Sequence, residues 1–338
     1  MLDGLALLRQ ALGIASVSGQ EAELAHFLVA QMATFAKRAF VDEAGNAVAE
    51  LGRGERHVVF LGHIDTVPGE IAVRVEDGKL YGRGAVDAKG PFCAAVVAAS
   101  RLGPDALDSL RLTLIGAVEE EAPSSKGARY AVRAYSRPDL VIVGEPSGWD
   151  AMTLGYKGRL VLKFELEKDN FHSAGDDVTA AEVVAGSWQQ VRDWVGWLNK
   201  ESSAEGIFER VQVSLQSIGS GNDGLVQSAE AVIGFRLPPA MPPAHAEEAL
   251  RKIFRAGKEE GTLRLAFSGR EQPYRGPKDT PLSRAFRAAI RQQGGEPRFK
   301  VKTGTSDMNV VAPHWQVPML AYGPGDAALD HRPDEHLD

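Results

Sequence analysis

A chain of 338 residues is long for one hydrophobic core and sets two domains as the starting expectation; 44% hydrophobic and 25% charged residues are ordinary for a globular protein. A formal charge of -7 argues against general nucleic-acid binding, which needs a basic footprint, and no apolar run approaches the length of a membrane span. The single cysteine, Cys93, cannot form an internal disulfide, and the start at Met1 has neither the basic end nor the apolar stretch of a signal peptide, so a reducing cytoplasm is expected.

Apolar residues at helical spacing over 5–12, and again over 20–37 (Leu24, Phe27, Leu28, Met32, Phe35), predict two opening helices. The second would be entered through Ser18-Gly-Gln-Glu21, where Ser18 and Glu21 have the spacing of a capping box. Strands follow at 39–41 and 47–51. The uninterrupted apolar run 58–61 then reads as a strand buried on both faces, as in a parallel sheet covered by helices. It ends in Gly62, His63 and Asp65. With a strand period of two, His63 and Asp65 point to one side, either as a metal ligand with its orienting carboxylate or as polar residues where a strand meets solvent.

A hairpin is expected over 73–81, turning at Asp77-Gly78, and leads into Gly82-Arg-Gly-Ala-Val-Asp-Ala-Lys-Gly90 and a helix over 91–102. Asp87 sits just ahead of that helix, where capping is the structural role open to it. Two more apolar strands, 110–118 and 140–144, end in Glu119-Glu120-Glu121 and in Glu145. Three such strands each ending in histidine or carboxylate should bring those groups together, because the crevice of an open α/β sheet lies beyond the carboxyl ends of its strands.

From about residue 152 the texture changes. A largely alternating strand (159–167), a long helix (178–199), strands at 211–218 and 229–237, a helix at 244–257 and a strand at 263–267 give the order β-α-β-β-α-β of a ferredoxin-like unit. Trp188, Trp194 and Trp197 on the long helix read as packing residues. Gly219-Ser-Gly-Asn-Asp-Gly224 matches a dinucleotide signature, but a strand follows where a helix is required, so it is set aside. The expected fold is therefore an α/β catalytic domain, 1–152 and 263–338, with helices on both faces of a mostly parallel sheet. An α+β domain, 153–262, is inserted in it. The stretch 251–302 holds 14 Lys and Arg against 5 Asp and Glu, which is either a basic face able to steer an acidic partner or a solvated surface.

Gly62-His-Ile-Asp-Thr-Val-Pro68, Gly82-Arg-Gly-Ala-Val-Asp-Ala-Lys-Gly90, Glu119-Glu120-Glu121 followed by Gly127, Gly144-Glu-Pro146, and Gly323-Pro-Gly325 with His331 and Glu335 resemble, in order and essentially end to end, the motifs of the M20 metallopeptidase family. The resemblance implies a zinc-peptidase-like fold, an inserted dimerisation domain and a homodimer. It also implies two zinc ions, with cobalt able to substitute: His63 and Glu145 on one, Glu121 and His331 on the other, and Asp87 bridging. Asp65 would orient His63. Glu120 would act as the base, taking a proton from the attacking water and delivering it to the departing amine, with Glu119 a flanking acid. His172 would reach a partner's site as the oxyanion donor, and Arg236, Thr305, Ser306 and Asp307 would hold the substrate. His57, His26, His245, His314 and His336 receive no role. The chain stops at Asp338, where members of that family usually continue into a final helix. A metal-free binding homologue would lack a ligand or the base, and none is lacking here. Within the family, the wording of residues 69–82 and 118–129 is most similar to hydrolases that free lysine, and in some members ornithine, from the terminal glutamate of an acidic amino-group carrier protein in lysine and arginine biosynthesis. Acetylornithine deacetylase and other N-acyl amino acid hydrolases are the alternative.

Overall fold

In the computed structural model of the chain, which describes residues 2–172, 174–202, 205–256 and 261–338 (the side chains of residues 255 and 256 apart), Asp3 opens the first helix. Its carboxylate accepts from the amides of Leu5 and Ala6, two of the donors a helix start leaves unpaired, and α1 runs Gly4–Leu12. The second helix, α2 (Ala22–Met32), is shorter than expected and is not capped by Ser18. Ser18 Oγ donates instead to Asp65, 47 residues away, while Glu21 accepts from the amides of Gly19 and Glu119. Tertiary partners took both side chains that local spacing had assigned to a cap.

The strands β1 (Arg38–Val41), β2 (Ala47–Gly52) and β3 (Arg56–His63) follow. The hairpin β4 (Arg74–Glu76) and β5 (Lys79–Tyr81) turns at Asp77-Gly78, both with positive φ, the geometry that matches strand twist. Then come α3 (Lys89–Ser100), α4 (Pro104–Ser109), β6 (Leu110–Ala117), α5 (Lys126–Ala134), β7 (Leu140–Gly144) and β8 (Ala151–Tyr156). The next stretch contains β9 (Gly158–Asp169), α6 (Ala180–Glu201), α7 (Gly206–Glu209), β10 (Gln212–Asn222), β11 (Val226–Leu237), α8 (Pro243–Ala256) and β12 (Thr262–Glu271). Gly257, the expected end of α8, lies outside the described residues, as does Ser173 beside His172. The chain closes with β13 (Tyr274–Arg275), α9 (Pro281–Gln292), β14 (Arg298–Lys302), α10 (Asp307–Trp315), β15 (Met319–Ala321) and β16 (His336–Leu337).

These elements form two units. One comprises the chain up to Gly155 with Arg275–Val301 and Ser306–Asp338; the other is Tyr156–Tyr274 with Lys302–Thr305. The boundary expected at 262/263 is thereby corrected: β12 pairs along its length with β9, so ladder hydrogen bonds hold it in the second unit. In the first unit the sheet order is β1-β2-β6-β3-β7-β15-β8-β13, with β14 also paired to β8. Its centre, β6-β3-β7-β15, is parallel throughout. Gly62, Gly116 and Gly144 lie side by side there; a Cβ on Gly144 would stand 2.7 Å from the Phe60 ring, and one on Gly116 would stand 2.8 Å from Ile64 and 3.0 Å from the Phe92 ring. The glycines make room for the rings beneath the site.

In the second unit the sheet order β10-β11-β9-β12, all antiparallel, is that of the expected ferredoxin-like unit. Burial along β9 alternates as its sequence does, and Leu160, Leu162, Phe164 and Leu166 join α6 and α8 in a core of their own. Thr179 and Glu182 form a reciprocal capping box at the start of α6. Trp188 and Trp194 pack against this core; Trp197 is exposed. Gly219–224, set aside as a nucleotide motif, is the end of β10 and its turn into β11.

Candidate metal centre

The carboxyl ends of three parallel strands carry the expected groups. β3 delivers His63, β6 runs into Glu119–Glu121, and β7 runs into Glu145. His63 is buried; its Nδ1 lies 3.1 Å from the backbone oxygen of Asp65 and 3.4 Å from the Asp65 carboxylate. The tautomer and ring direction are therefore held by residue 65 through main chain and side chain together. The Asp65 carboxylate has a second task that spacing alone did not reveal. It accepts from the amides of Glu120 (3.0 Å) and Glu121 (3.0 Å) and from Ser18 Oγ (2.7 Å), so it also fixes the glutamate run.

Asp87 does not cap α3, whose N-cap is Ala88. One of its oxygens, Oδ1, lies 3.1 Å from His63 Nε2, and the other, Oδ2, lies 3.2 Å from His331 Nε2. Glu145 Oε1 is 4.0 Å from His63 Nε2, and Glu121 Oε1 is 2.9 Å from His331 Nε2. Two groups of ligand atoms gather within coordination reach, His63 with Glu120 and Glu121, and Asp87 with Glu121 and His331. Glu119 turns away to Ser124 Oγ and Lys126, and both Glu119 and His331 adopt left-handed backbone angles, φ 58° and 63°, strain that is tolerated where surroundings over-determine a residue.

The electrostatics follow from this crowding. Burial raises the Glu120 carboxyl well above its usual range; the neighbouring charges of Glu145, Asp307 and Glu121 add to this and that of His63 opposes it. Burial alone would lower the pKa of His63, but Asp65, Asp87 and Glu120 raise it well above 6.5. Hydrogen bonds to Asp87 and Glu121 push His331 up to about 10. Four carboxylates, Asp87, Glu120, Glu121 and Glu145, thus surround two imidazoles, and even two imidazolium ions would leave net negative charge. Imidazole nitrogen and carboxylate oxygen without thiolate is a donor set suited to zinc or cobalt. Cys93 takes no part: it is buried, and burial pushes its thiol up to about 12.

The remaining expected residues are divided between the units. Ser306 and Asp307 belong to the first. Ser306 caps α10, a helix not among the expected elements, whose sequence signal is the reciprocal Ser306–Asn309 box. Asp307 is buried, neither carboxylate oxygen has a hydrogen-bond partner among the described residues, and burial pushes it up to about 8, with the charges of Asp65 and Glu145 adding to the rise and His63 opposing it. Arg236 and Thr305 belong to the second unit, where Arg236 Nη1 donates to Thr305 Oγ1 at 3.2 Å. Arg236 also stands opposite Arg159 across the β9–β11 ladder. His172 is exposed in the second unit, its Nδ1 accepting from the amide of Ala174. His336 bonds the Asp334 carbonyl and stacks on Tyr81, apart from these ligand groups. In the basic stretch, Arg251, Lys252, Arg264, Arg270, Arg284 and Arg298 each lie within ion-pair distance of a carboxylate, so much of its charge is locally balanced.

A sequence model of peptidase family M20/M25/M40 matches residues 59–338. A protein of Deinococcus radiodurans named [LysW]-lysine hydrolase is 58% identical over 334 residues, covering 98% of this chain and 91% of that protein. A [LysW]-lysine/[LysW]-ornithine hydrolase of Saccharolobus islandicus is 25% identical over 84% of this chain and 77% of its own length. Among solved structures, an M20 family metallo-carboxypeptidase of Sulfolobus solfataricus superposes with a TM-score of 0.79 over 100% of this chain and 95% of that one, at 19% identity, a likeness of fold. No helix among the described residues is long and apolar enough to cross a membrane.

Proposed function

Because the chain belongs to peptidase family M20/M25/M40, we propose that it is a two-metal amide hydrolase that releases lysine, with ornithine as a second product, from the carboxyl-terminal glutamate of the carrier protein LysW. The observation that carries this reading is Asp87, whose two oxygens lie 3.1 Å from His63 Nε2 and 3.2 Å from His331 Nε2, in a chain 58% identical to a [LysW]-lysine hydrolase. His63 and Glu145 would hold one ion, Glu121 and His331 the other, and Asp87 both. Zinc is the proposed metal, with cobalt able to replace it. When bound, the ions supply Lewis acidity that lowers the pKa of water and polarises the amide carbonyl.

The protein's own part is proton transfer and placement. Glu120, backed by the Asp65 hydrogen bond to its amide, has a carboxyl whose affinity for protons is raised by burial. It takes the proton from the attacking water and gives it to the departing amine. Arg236, with Thr305, is assigned the substrate carboxylate, which a guanidinium fork can hold at two points. Ser306 and Asp307 are assigned the neighbouring substrate groups. His172 is assigned the oxyanion donor, supplied by the partner of a homodimer. The second unit supports dimerisation: β10 is an edge strand of 11 residues without a charged side chain, and Trp197, Ile218 and Leu225 are exposed on that unit.

The test is metal-reconstituted hydrolysis of LysW-linked lysine beside N-acetyl-lysine and N-acetylornithine, with Glu120→Gln as control. Preference for the carrier-linked amide, lost by about 10²–10⁴-fold in the variant, is expected. Preference for free N-acetylornithine would move the chain to the deacetylase branch. Because the carrier is acidic, the rate on it should fall with added salt while the rate on N-acetyl-lysine does not; Arg287 and Arg291 on α9, which have no ion pair among the described residues, are the cations to neutralise first.

A further inference from the structure

Glu335 is buried completely, although it lies in a terminal segment whose preceding residues, 331–334, are exposed. Its carboxylate meets four donors, all from one loop. Oε1 accepts from the amides of Val86 (2.9 Å) and Asp87 (3.1 Å); Oε2 accepts from the amide of Gly84 (3.2 Å) and from Arg83 Nη1 (2.9 Å). Its backbone oxygen accepts from Gly82 at 3.4 Å. Arg83 closes the arrangement by donating also to the Arg332 and Gly69 carbonyls. One side chain thus spans the loop that carries Asp87 and the segment that carries His331.

The two ligand groups depend on that link to different degrees. His63 and Glu145 leave adjacent strands of the central sheet, whose ladder sets their spacing. His331 has no such support: its side chain is 51% exposed, its φ is left-handed, and its fixed neighbours are Asp87 and Glu121. Packing does not hold it, so the anchor four residues on must. We infer that Glu335 is a positioning residue that sets Asp87 and His331 relative to one another and so governs filling of the Asp87–Glu121–His331 position, leaving the position at His63 and Glu145 to the sheet. An amide at residue 335 accepts on one side only, so Glu335→Gln turns a donor toward either the Gly84–Arg83 pair or the Val86–Asp87 pair.

This inference rests on the two-metal reading, and the measurement separates them. Chelator-stripped protein is titrated calorimetrically with zinc ion alone, and with cobalt ion followed by its visible spectrum. Wild type is expected to take two ions per chain; uptake of one overturns the two-metal reading and this inference with it. With two ions in wild type, Glu335→Gln should keep one site at wild-type affinity and bind the other about 10–100-fold more weakly, the usual effect of losing a partner that orients a ligand. Equal weakening of both sites, or both within threefold of wild type, would overturn the positioning role. Arg83→Met leaves the acceptor to the three backbone amides intact and carries the test if the first variant does not fold. It should weaken the same site alone, by a few-fold, and no selective change there would count against the inference.

Discussion

Gly127→Ala offers a stringent check on how the glutamate run is held. Gly127 lies in the first turn of α5, and its amide donates to the Val118 carbonyl at 3.0 Å. Asn46 bridges the same two residues, Nδ2 donating to the Gly127 carbonyl at 3.2 Å and Oδ1 accepting from the Val118 amide at 3.1 Å. A Cβ on residue 127 would stand 2.4 Å from Asn46 Oδ1, 2.5 Å from Val118 N and 2.9 Å from Val118 O. Helix propensity favours the substitution by about 1 kcal/mol. Against it stand two or three buried hydrogen bonds at about 1 kcal/mol each and overpacking of about 1–3 kcal/mol. The clash wins, and a net loss of about 2–5 kcal/mol is expected from urea unfolding followed by two probes whose transitions coincide. Because Val118 directly precedes Glu119–Glu121, a shift of about 1 Å there should also cut turnover about 100-fold in the folded fraction. Gly186→Ala is the control. Gly186 is exposed within α6 with nothing within 4 Å of its added Cβ, so the same change should stabilise by about 1 kcal/mol. A Gly127→Ala protein as stable as wild type would refute the reasoning.

Asp65→Asn leaves one acceptor oxygen where two serve the Glu120 and Glu121 amides, so a loss of about 1–3 kcal/mol with reduced turnover is expected from unfolding and rate measurements. Stripping metal should lower thermal stability, since ligand at about 1,000 times its Kd contributes about 4 kcal/mol per site; calorimetry with and without chelator reads this directly, and an unchanged transition would contradict metal binding. His57, buried on β3 beside Thr113 with its Nδ1 unpartnered among the described residues, is held below its ordinary pKa by burial and by Arg111, with Asp139 and Glu50 opposing. The unfolded chain therefore takes up the proton first as pH falls. Its stabilising contribution is present above about pH 6.5 and is lost as pH drops toward the folded value. Urea midpoints across that window should slope upward with pH in wild type, and His57→Gln should flatten the slope.

Patterning along the chain determined much of this protein. Apolar runs bounded by glycine place β3, β6 and β7, and alternation places β9, because periodicity reports which faces must be dry. The residues at those strand ends, with Asp87 and His331, were legible from motif order, as was the ferredoxin-like β-α-β-β-α-β sequence of the second unit. Tertiary structure alone decided where individual polar groups found partners. Ser18 and Glu21 have capping spacing yet serve Asp65 and the Glu119 amide; Ser306, expected only to hold substrate, caps a helix; β12 joins the second unit because its hydrogen bonds go to β9. Glu335 could be noticed in the sequence only as a companion of His331, whereas its four donors lie some 250 residues earlier. The physical reason is common to all of these. Hydrophobic periodicity is a local property of the chain, but a buried carboxylate must be satisfied by whichever donors the fold brings to it, and those are set by contacts distant in sequence.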